Sequence, residues 1–313
     1  MTLGLYIYIT EYHLPFKGIN RPKLGHKKEN KKMPLDFTAE DILPENINFP
    51  VEFEPTKFNK SKYVINGNTG EYLGIVGRGF PKNPHGAYFT KTHNAISDHL
   101  GHEFCDSMNI NFKTARNNAW VMMDMVMPNV TRKIESDKHS TTIAPRLIAL
   151  HGIDGSCSNQ VYFGSIDFFC TNGMITGEYN KVKKKNSSNF DLDNFIDELK
   201  ETMSDFNASA DQYQRWAETY LVASNVKDML ETIMSSSRAK KMYSLYNQET
   251  AVRGQNVWAL YSAFTNYASH QNEYNGFAVK NTGNDTEAET MWKREHDVSK
   301  WTSTPQFQQL IAA

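Results

Sequence analysis

The chain has 313 residues, enough for one large domain or two modest ones; 39% are hydrophobic and 12% aromatic, which excludes wholesale disorder. Its 34 basic and 35 acidic residues leave a net charge of −1, so the molecule as a whole carries no signature for a polyanionic partner. No apolar stretch nears the roughly 20 residues that cross a bilayer; the longest, 144–153, is broken by Pro145, Arg146 and His151, and no membrane partner is expected.

Charge is uneven along the chain. Residues 1–33 hold seven Lys/Arg against Glu11 and Glu29, with Pro15 and Pro22 among them, and read as a basic flexible tail or an extension ahead of a second start at Met33. Residues 52–190 hold sixteen basic and twelve acidic groups, whereas 191–218 hold eight acids against Lys200 and Arg215. Cys105, Cys157 and Cys170 are odd in number and lack paired spacing, which indicates neither a disulfide framework nor a zinc site and fits a reducing, cytoplasmic setting. The apolar run 3–9 lacks the basic leader and small-residue cleavage site of a secretory signal.

Strand signals dominate 61–170. Tyr63 and Ile65 alternate with polar neighbours, Asn66-Gly-Asn-Thr-Gly70 supplies turn chemistry, and alternation resumes at Tyr72, Gly74 and Val76, which predicts a hairpin. Phe89, Ile96, Leu100 and Phe104 recur at helical spacing, predicting a helix over 87–105. In 119–127, Val121, Met123, Met125 and Met127 face one way and Trp120, Met122, Asp124 and Val126 the other. Strands over 143–151 and 161–169 follow, joined by the glycine-rich turn 152–158. Beyond Lys185 the period becomes helical: Ser188 is an N-cap candidate with Asp191 three residues on, and Leu192, Phe195, Ile196, Leu199, Met203 and Phe206 form a stripe. Further helices are expected over 210–248 and 254–270. The fold class is α+β: an antiparallel sheet with a packed helix over 34–186, then a mainly helical region over 187–313.

Five constellations bear on chemistry. Gly67-Asn-Thr-Gly70 and Gly74-Ile-Val-Gly77-Arg-Gly79 resemble a phosphate cradle, but no Gly-Lys-Ser/Thr follows, and turn and bulge glycines explain them better. His93, His99 and His102 with Asp98, Glu103 and Asp106 read as the polar flank of a helix rather than a metal site. Asp124, Asp154 and Asp167 would hold Mg²⁺ for phosphodiester hydrolysis if they converged; Asp154 also suits turn formation. Ser156 and Cys157 lack the Gly-x-Ser-x-Gly elbow of a nucleophile, and Cys170 follows an apolar strand and reads as buried. Finally, cations and aromatics interleave. Arg78, Lys82, Lys113, Arg116 and Arg146 are placed to hold phosphates and Tyr72, Phe80 and Trp120 to support bases. Lys183, Lys184 and Lys185 add a basic tract that also suits a linker. Tyr72, Gly74, Val76, Arg78 and Phe80 are expected on one face; the alternative is that the aromatics are core and the lysines solvated surface.

Several motifs occur in a familiar order: Tyr63-Val-Ile-Asn, Tyr72-Leu-Gly-Ile-Val-Gly, Asn118-Ala-Trp-Val, His151-Gly-Ile-Asp-Gly-Ser156, Phe169-Cys-Thr-Asn-Gly173 and Asn256-Val-Trp-Ala-Leu-Tyr. Over residues 50–300 the chain resembles the phage/plasmid-like proteins grouped as domain of unknown function 932. It departs from them at Leu150-His-Gly-Ile-Asp-Gly, where family members more often read Asn-Ser-His-Asp-Gly. The resemblance implies a bacteriophage or plasmid setting and an infected bacterial host cell. A looser similarity of architecture and setting reaches the phage single-strand annealing proteins. Together these point to a non-enzymatic, cofactor-free protein that binds and anneals single-stranded DNA in recombination or replication and self-associates through its helical half. A Mg²⁺-dependent nuclease and a phage protein that blocks a host factor are the alternatives.

Overall fold

Alternation begins one strand earlier than the hairpin. Val51 is buried and Phe53 half-buried between exposed Glu52 and Glu54, so 51–55 form a strand that Pro50 and Pro55 had masked in the sequence. The computed structural model describes residues 37–57, 60–100, 108–169, 172–174, 181–187, 190–202, 206–270 and 287–312; the basic tail expected over 1–33 lies outside them. Residues 36–313 form one compact unit by themselves.

A short helix α1 (Ala39–Ile42) precedes a three-stranded antiparallel sheet, β1 (Val51–Pro55), β2 (Ser61–Asn66) and β3 (Tyr72–Gly77), in the order β1-β2-β3. The β2–β3 turn is built as its residues demand. Asn66 Oδ1 accepts from the amides of Asn68 and Thr69, and Gly70, at φ 74°, closes the turn on the Asn66 carbonyl at 2.7 Å. The register then slips: Ile65 faces Tyr72 but Val64 faces Gly74, leaving Leu73 as a bulge residue. This overturns the expected platform. Tyr72 and Ile75 share the open face, both about 60% exposed, while Leu73 and Val76 turn into the core with Phe49, Val51 and Val64.

Helix α2 (His85–Leu100) leads to a seven-stranded antiparallel sheet made of β4 (Asn109–Ala115), β5 (Trp120–Val126), β6 (Arg132–Glu135), β7 (Ser140–Gly152), β8 (Asn159–Asp167), β9 (Asn172–Met174) and β10 (Lys181–Lys184). The path is β10-β8-β7-β5-β4, with β6 on β7 and β9 on β8. The lysine tract is therefore an edge strand paired with Asn159–Tyr162, not a linker.

Both faces of this sheet are covered. Val121, Met123, Met125 and Met127 pack with Leu147, Ala149, Tyr88, Phe89 and Ile96, together with Phe195 and Ile196 of α3 (Leu192–Thr202). Trp120, Met122, Ile148, Leu150 and Tyr162 pack beneath Ala288, Met291 and Trp292 of α8 (Glu287–Thr302). The facing read from the alternation of 119–127 thus holds, but neither face meets water. α3 starts on Asp191, whose Oδ1 accepts from the amides of Asp193 and Asn194, so the cap is Asp191 itself; Ser188 lies outside the described residues.

The region expected as two helical stretches resolves into α4 (Phe206–Glu218), α5 (Ala223–Ile233), α6 (Ser236–Arg253) and α7 (Val257–Ser269), with α9 (Pro305–Ala312) following α8. α7 is buried nearly all round and is the axis of this half: Trp258, Tyr261 and Phe264 meet Tyr213, Trp216, Trp301 and Phe307. Its start is fixed by Asn256, which accepts from the Ala259 amide at 2.8 Å.

Candidate functional site

Three of the motifs quoted from the sequence, those at Tyr72, Asn118 and His151, converge on the turn between β4 and β5. Arg116, Asn117 and Asn118 are consecutive residues at φ 56°, 53° and 65°, a left-handed run that costs about 1–2 kcal/mol per L residue and somewhat less for Asn. Contacts from every side hold it. Asn117 Nδ2 donates to Glu71 Oε1 at 2.6 Å, and Asn118 Nδ2 to the Asn46 carbonyl at 3.2 Å. Arg116 Nε donates to Glu289 on α8 at 3.3 Å, and its guanidinium lies 3.5 Å from Asp154. His85, at the start of α2, bonds through Nε2 to the Asn118 carbonyl at 2.9 Å.

The His151–Ser156 motif closes the other side. Asp154 Oδ1 accepts from the Ser156 amide at 3.0 Å and from its hydroxyl at 2.5 Å, while Trp120 Nε1 donates to Ser156 Oγ at 2.7 Å. This is the turn role expected for Asp154. Gly74 lets β3 approach it, since a Cβ there would meet the Asp154 Cβ at 2.9 Å. Below the turn, His85 and His151 are wholly buried, their Nδ1 atoms 2.8 Å apart, and His151 stacks on the Tyr88 ring at 4.5 Å. Burial pushes His85 down to about 4, against the opposing effect of its bond to Asn118; burial and then the neighbouring ring push His151 well below the usual imidazole range. Both rings are neutral at pH 7.

The residues expected to hold a single strand are not brought together. Arg146 is 4% exposed and engaged twice: bidentate with Asp124 at 2.7 and 2.8 Å, and with Glu295 of α8 at 2.7 Å. Trp120 is 7% exposed beneath α8, with the Arg116 guanidinium 4.9 Å from its ring centre, so neither Arg146 nor Trp120 can reach nucleic acid. Lys113 on β4 and Lys183–Lys185 at β10 occupy opposite edges of the large sheet, roughly four strand spacings of about 4.8 Å apart. Lys184 is held by Glu198 at 2.5 Å, and the pocket beside it is lined by Asp191 and Glu198 as well as Lys184, Lys185 and Phe190.

The carboxylates do not converge either. Asp124 pairs with Arg146, Asp154 with Arg116, and Asp167 with Arg253 at 2.7 Å and with Thr141. Among the described residues no three His, Cys, Asp or Glu side chains are grouped to hold a metal. His93, expected on a solvated flank, is buried edge-on to Phe37; the side chain of His99, and His102, Glu103, Asp106 and Cys170, lie outside what is described. Ser156 Oγ is bonded to Asp154 rather than to a histidine, and burial, then Asp154, raise the Cys157 thiol, which disfavours the thiolate a nucleophile needs.

What remains is a cluster on the small sheet. Tyr72, Arg78 and Lys82 are exposed and Phe80 half-buried. Beside them is a pocket of about 360 Å³ lined by Phe53, Glu54, Pro55, Ser61, Lys62 and Arg78. Lys62 Nζ lies 3.5 Å over the Phe53 ring and donates to the Phe80 carbonyl at 2.7 Å; burial lowers its pKa. Among the described residues neither Lys62 nor Arg78 meets a carboxylate within ion-pair distance. The sequence reading missed Phe53 and Lys62, although the spacing of Val51 and Phe53 carried the signal. The His85–His151 pair left no local signal, because 66 residues separate its members.

Fold and site together define an α+β protein in which the motifs at Tyr72, Asn118 and His151 build a polar junction instead of a nucleophile–base pair or a metal cluster among the described residues. Residues 108–300, more than half of the chain, match the model described as domain of unknown function (DUF932), and the chain belongs to that family. The match starts at β4, so β1–β3 and α2 precede it, and it is narrower than the 50–300 span of the resemblance. No curated protein and no solved structure matches the chain. No helix among the described residues is long and apolar enough to cross a membrane.

Proposed function

We propose that the protein binds single-stranded nucleic acid, DNA in the leading version, on the three-stranded sheet and not across the large one. The observation that carries this reading is the pocket pairing the Phe53 ring with Lys62 and Arg78, two cations without a carboxylate partner among the described residues, next to exposed Lys82. The Phe53 ring is capped by Lys62, so the exposed Tyr72 ring supplies the face for a base and the cations the site for phosphate, the combination that holds unpaired strands. Local charge points the same way. Residues 51–82 carry Lys57, Lys60, Lys62, Arg78 and Lys82 against Glu52, Glu54 and Glu71, whereas 181–198 carry four lysines against Asp191, Asp193, Asp197 and Glu198. The second region neutralises itself.

In this reading the protein acts non-covalently in phage or plasmid recombination or replication inside a bacterial host, and self-associates while annealing strands. The test is fluorescence anisotropy with a labelled oligothymidine. Affinity falls steeply with salt, and the Arg78→Ala/Lys82→Ala double variant lowers the log–log salt slope by about 0.7 per lost phosphate contact. Arg116 is left out of that variant because it is bound to Glu289 and Asp154. Absence of binding at low salt removes the proposal. A second reading, docking of a host protein, is favoured by the adjacent exposed Tyr72 and Ile75 on the open face of the small sheet; it predicts a complex unaffected by nuclease treatment.

A further inference from the structure

The stretch that begins at His151 leaves one buried atom unexplained. The Asn118 carbonyl can only accept, so the His85 Nε2 bonded to it carries the proton. His85 is neutral, its Nδ1 is therefore a lone pair, and the Nδ1 of His151, 2.8 Å away, donates to it. The chain of assignments ends at His151 Nε2, a bare acceptor, wholly buried and without a hydrogen-bond partner among the described residues.

Two further side chains share this condition. His151 lies on the face of β7 that carries Leu147 and Ala149, and Asn159 on the face of β8 that carries Val161 and Phe163; all four apolar residues belong to the cluster packed under α2. Leu150 pairs with Gln160, so His151 and Asn159 are the next cross-strand neighbours, side by side on that face. Asn159 is fully buried with both side-chain atoms unpartnered. Asn186, 8% exposed, spends its Nδ2 on the Gly152 carbonyl at 2.9 Å and leaves its Oδ1 unpartnered. Tyr88 roofs the group, its ring on His151 and its hydroxyl on the Gln160 carbonyl. Buried polar groups of this kind are almost always satisfied, and here three acceptors accompany one amide donor.

We propose that His151 Nε2, Asn159 and Asn186 form an internal binding site for a small neutral hydrogen-bond donor beneath Tyr88, one able to donate to His151 Nε2 and an amide oxygen while accepting from Asn159 Nδ2. The His85–His151 bond sets the imidazole tautomer so that its lone pair faces this ligand. Two sources supply that chemistry: ordered water, which commonly makes about three bonds to such groups, and a small hydroxyl- or amide-bearing organic molecule carried from the cell.

Two measurements on the full chain test this. In ¹⁵N NMR, His151 Nε2 resonates as an unprotonated nitrogen accepting a hydrogen bond. Native mass spectrometry then separates the sources: an added mass that Asn159→Leu abolishes identifies an organic donor, whereas no added mass with long-lived water cross-peaks to the Asn159 side-chain amide identifies water. If neither an added mass nor a long-lived water is found, or if a direct coupling joins Asn159 Nδ2 to His151 Nε2, the site does not exist. Should N159L fail to fold, the wild-type cross-peaks and the mass released on denaturation decide the question alone.

Discussion

The two sheets use the same residue types to opposite ends. On the large sheet, Arg146 lies between Asp124 and Glu295, and Trp120 is sealed under α8. On the small sheet, Arg78 has no carboxylate partner among the described residues, and Tyr72 is about 60% exposed, its ring edge-on to Tyr63 and its hydroxyl tied to Glu54 at 3.3 Å. The difference lies in coverage: the large sheet is covered by helices on both faces and the small one packs only its inner face. An arginine or an aromatic ring in a strand thus speaks of ligand binding only when one face of its sheet is free.

The largest effect expected from that contrast is on stability. Arg146→Ala leaves Asp124 and Glu295 buried without their shared cation and costs about 3–5 kcal/mol in urea unfolding, whereas Arg78→Ala stays within about 0.5 kcal/mol. Equal effects would erase the distinction between the sheets.

Next in size is the pH response of the His85–His151 pair. Folded-state values below the unfolded value near 6.5 mean that the unfolded chain takes up protons first. The pair's contribution is therefore complete above pH 6.5 and drains as pH falls toward 4 for His85, and lower still for His151. Between pH 6.5 and 5, above the carboxylate range, stability drops with a slope that grows from about 0.7 to about 1.4 kcal/mol per pH unit for each histidine that stays neutral. A urea midpoint unchanged across that window means the rings are charged or exposed.

Smaller effects sharpen the picture of the junction and the bulge. Asn118→Val puts a β-branched residue at φ 65° and breaks the bond to Asn46, for a loss of about 1–3 kcal/mol; Asn117→Gly relieves strain and costs less. On β3, Val76→Ser costs about 2 kcal/mol and Ile75→Ser less than about 0.5, in keeping with the slipped register. The reverse order would restore the unbulged strand.

Much of the architecture was legible because it is local. The Asn66–Gly70 turn, the β7–β8 hairpin and the two-sided alternation of 119–127 are written in neighbouring residues. The burial of Trp120 and Arg146 was not, because the partner that covers them, α8, lies well over a hundred residues away and has no periodic link to β5. One local clue existed: Trp120-Val-Met-Met-Asp-Met-Val has a single polar member, the pattern of a strand covered on both faces. The bulge at Leu73 was hidden because an inserted residue leaves composition unchanged while reversing every facing beyond it. Lys62 was passed over because its neighbours read only as a hairpin strand, although its amine reaches across to Phe53 and Phe80.

Amide hydrogen exchange with and without an oligothymidine bears most directly on where nucleic acid lies. Slower exchange confined to residues 51–80, with 109–115 and 181–187 unchanged, is the expected result. Protection of β4 or β10 with no change in the small sheet would contradict the assignment.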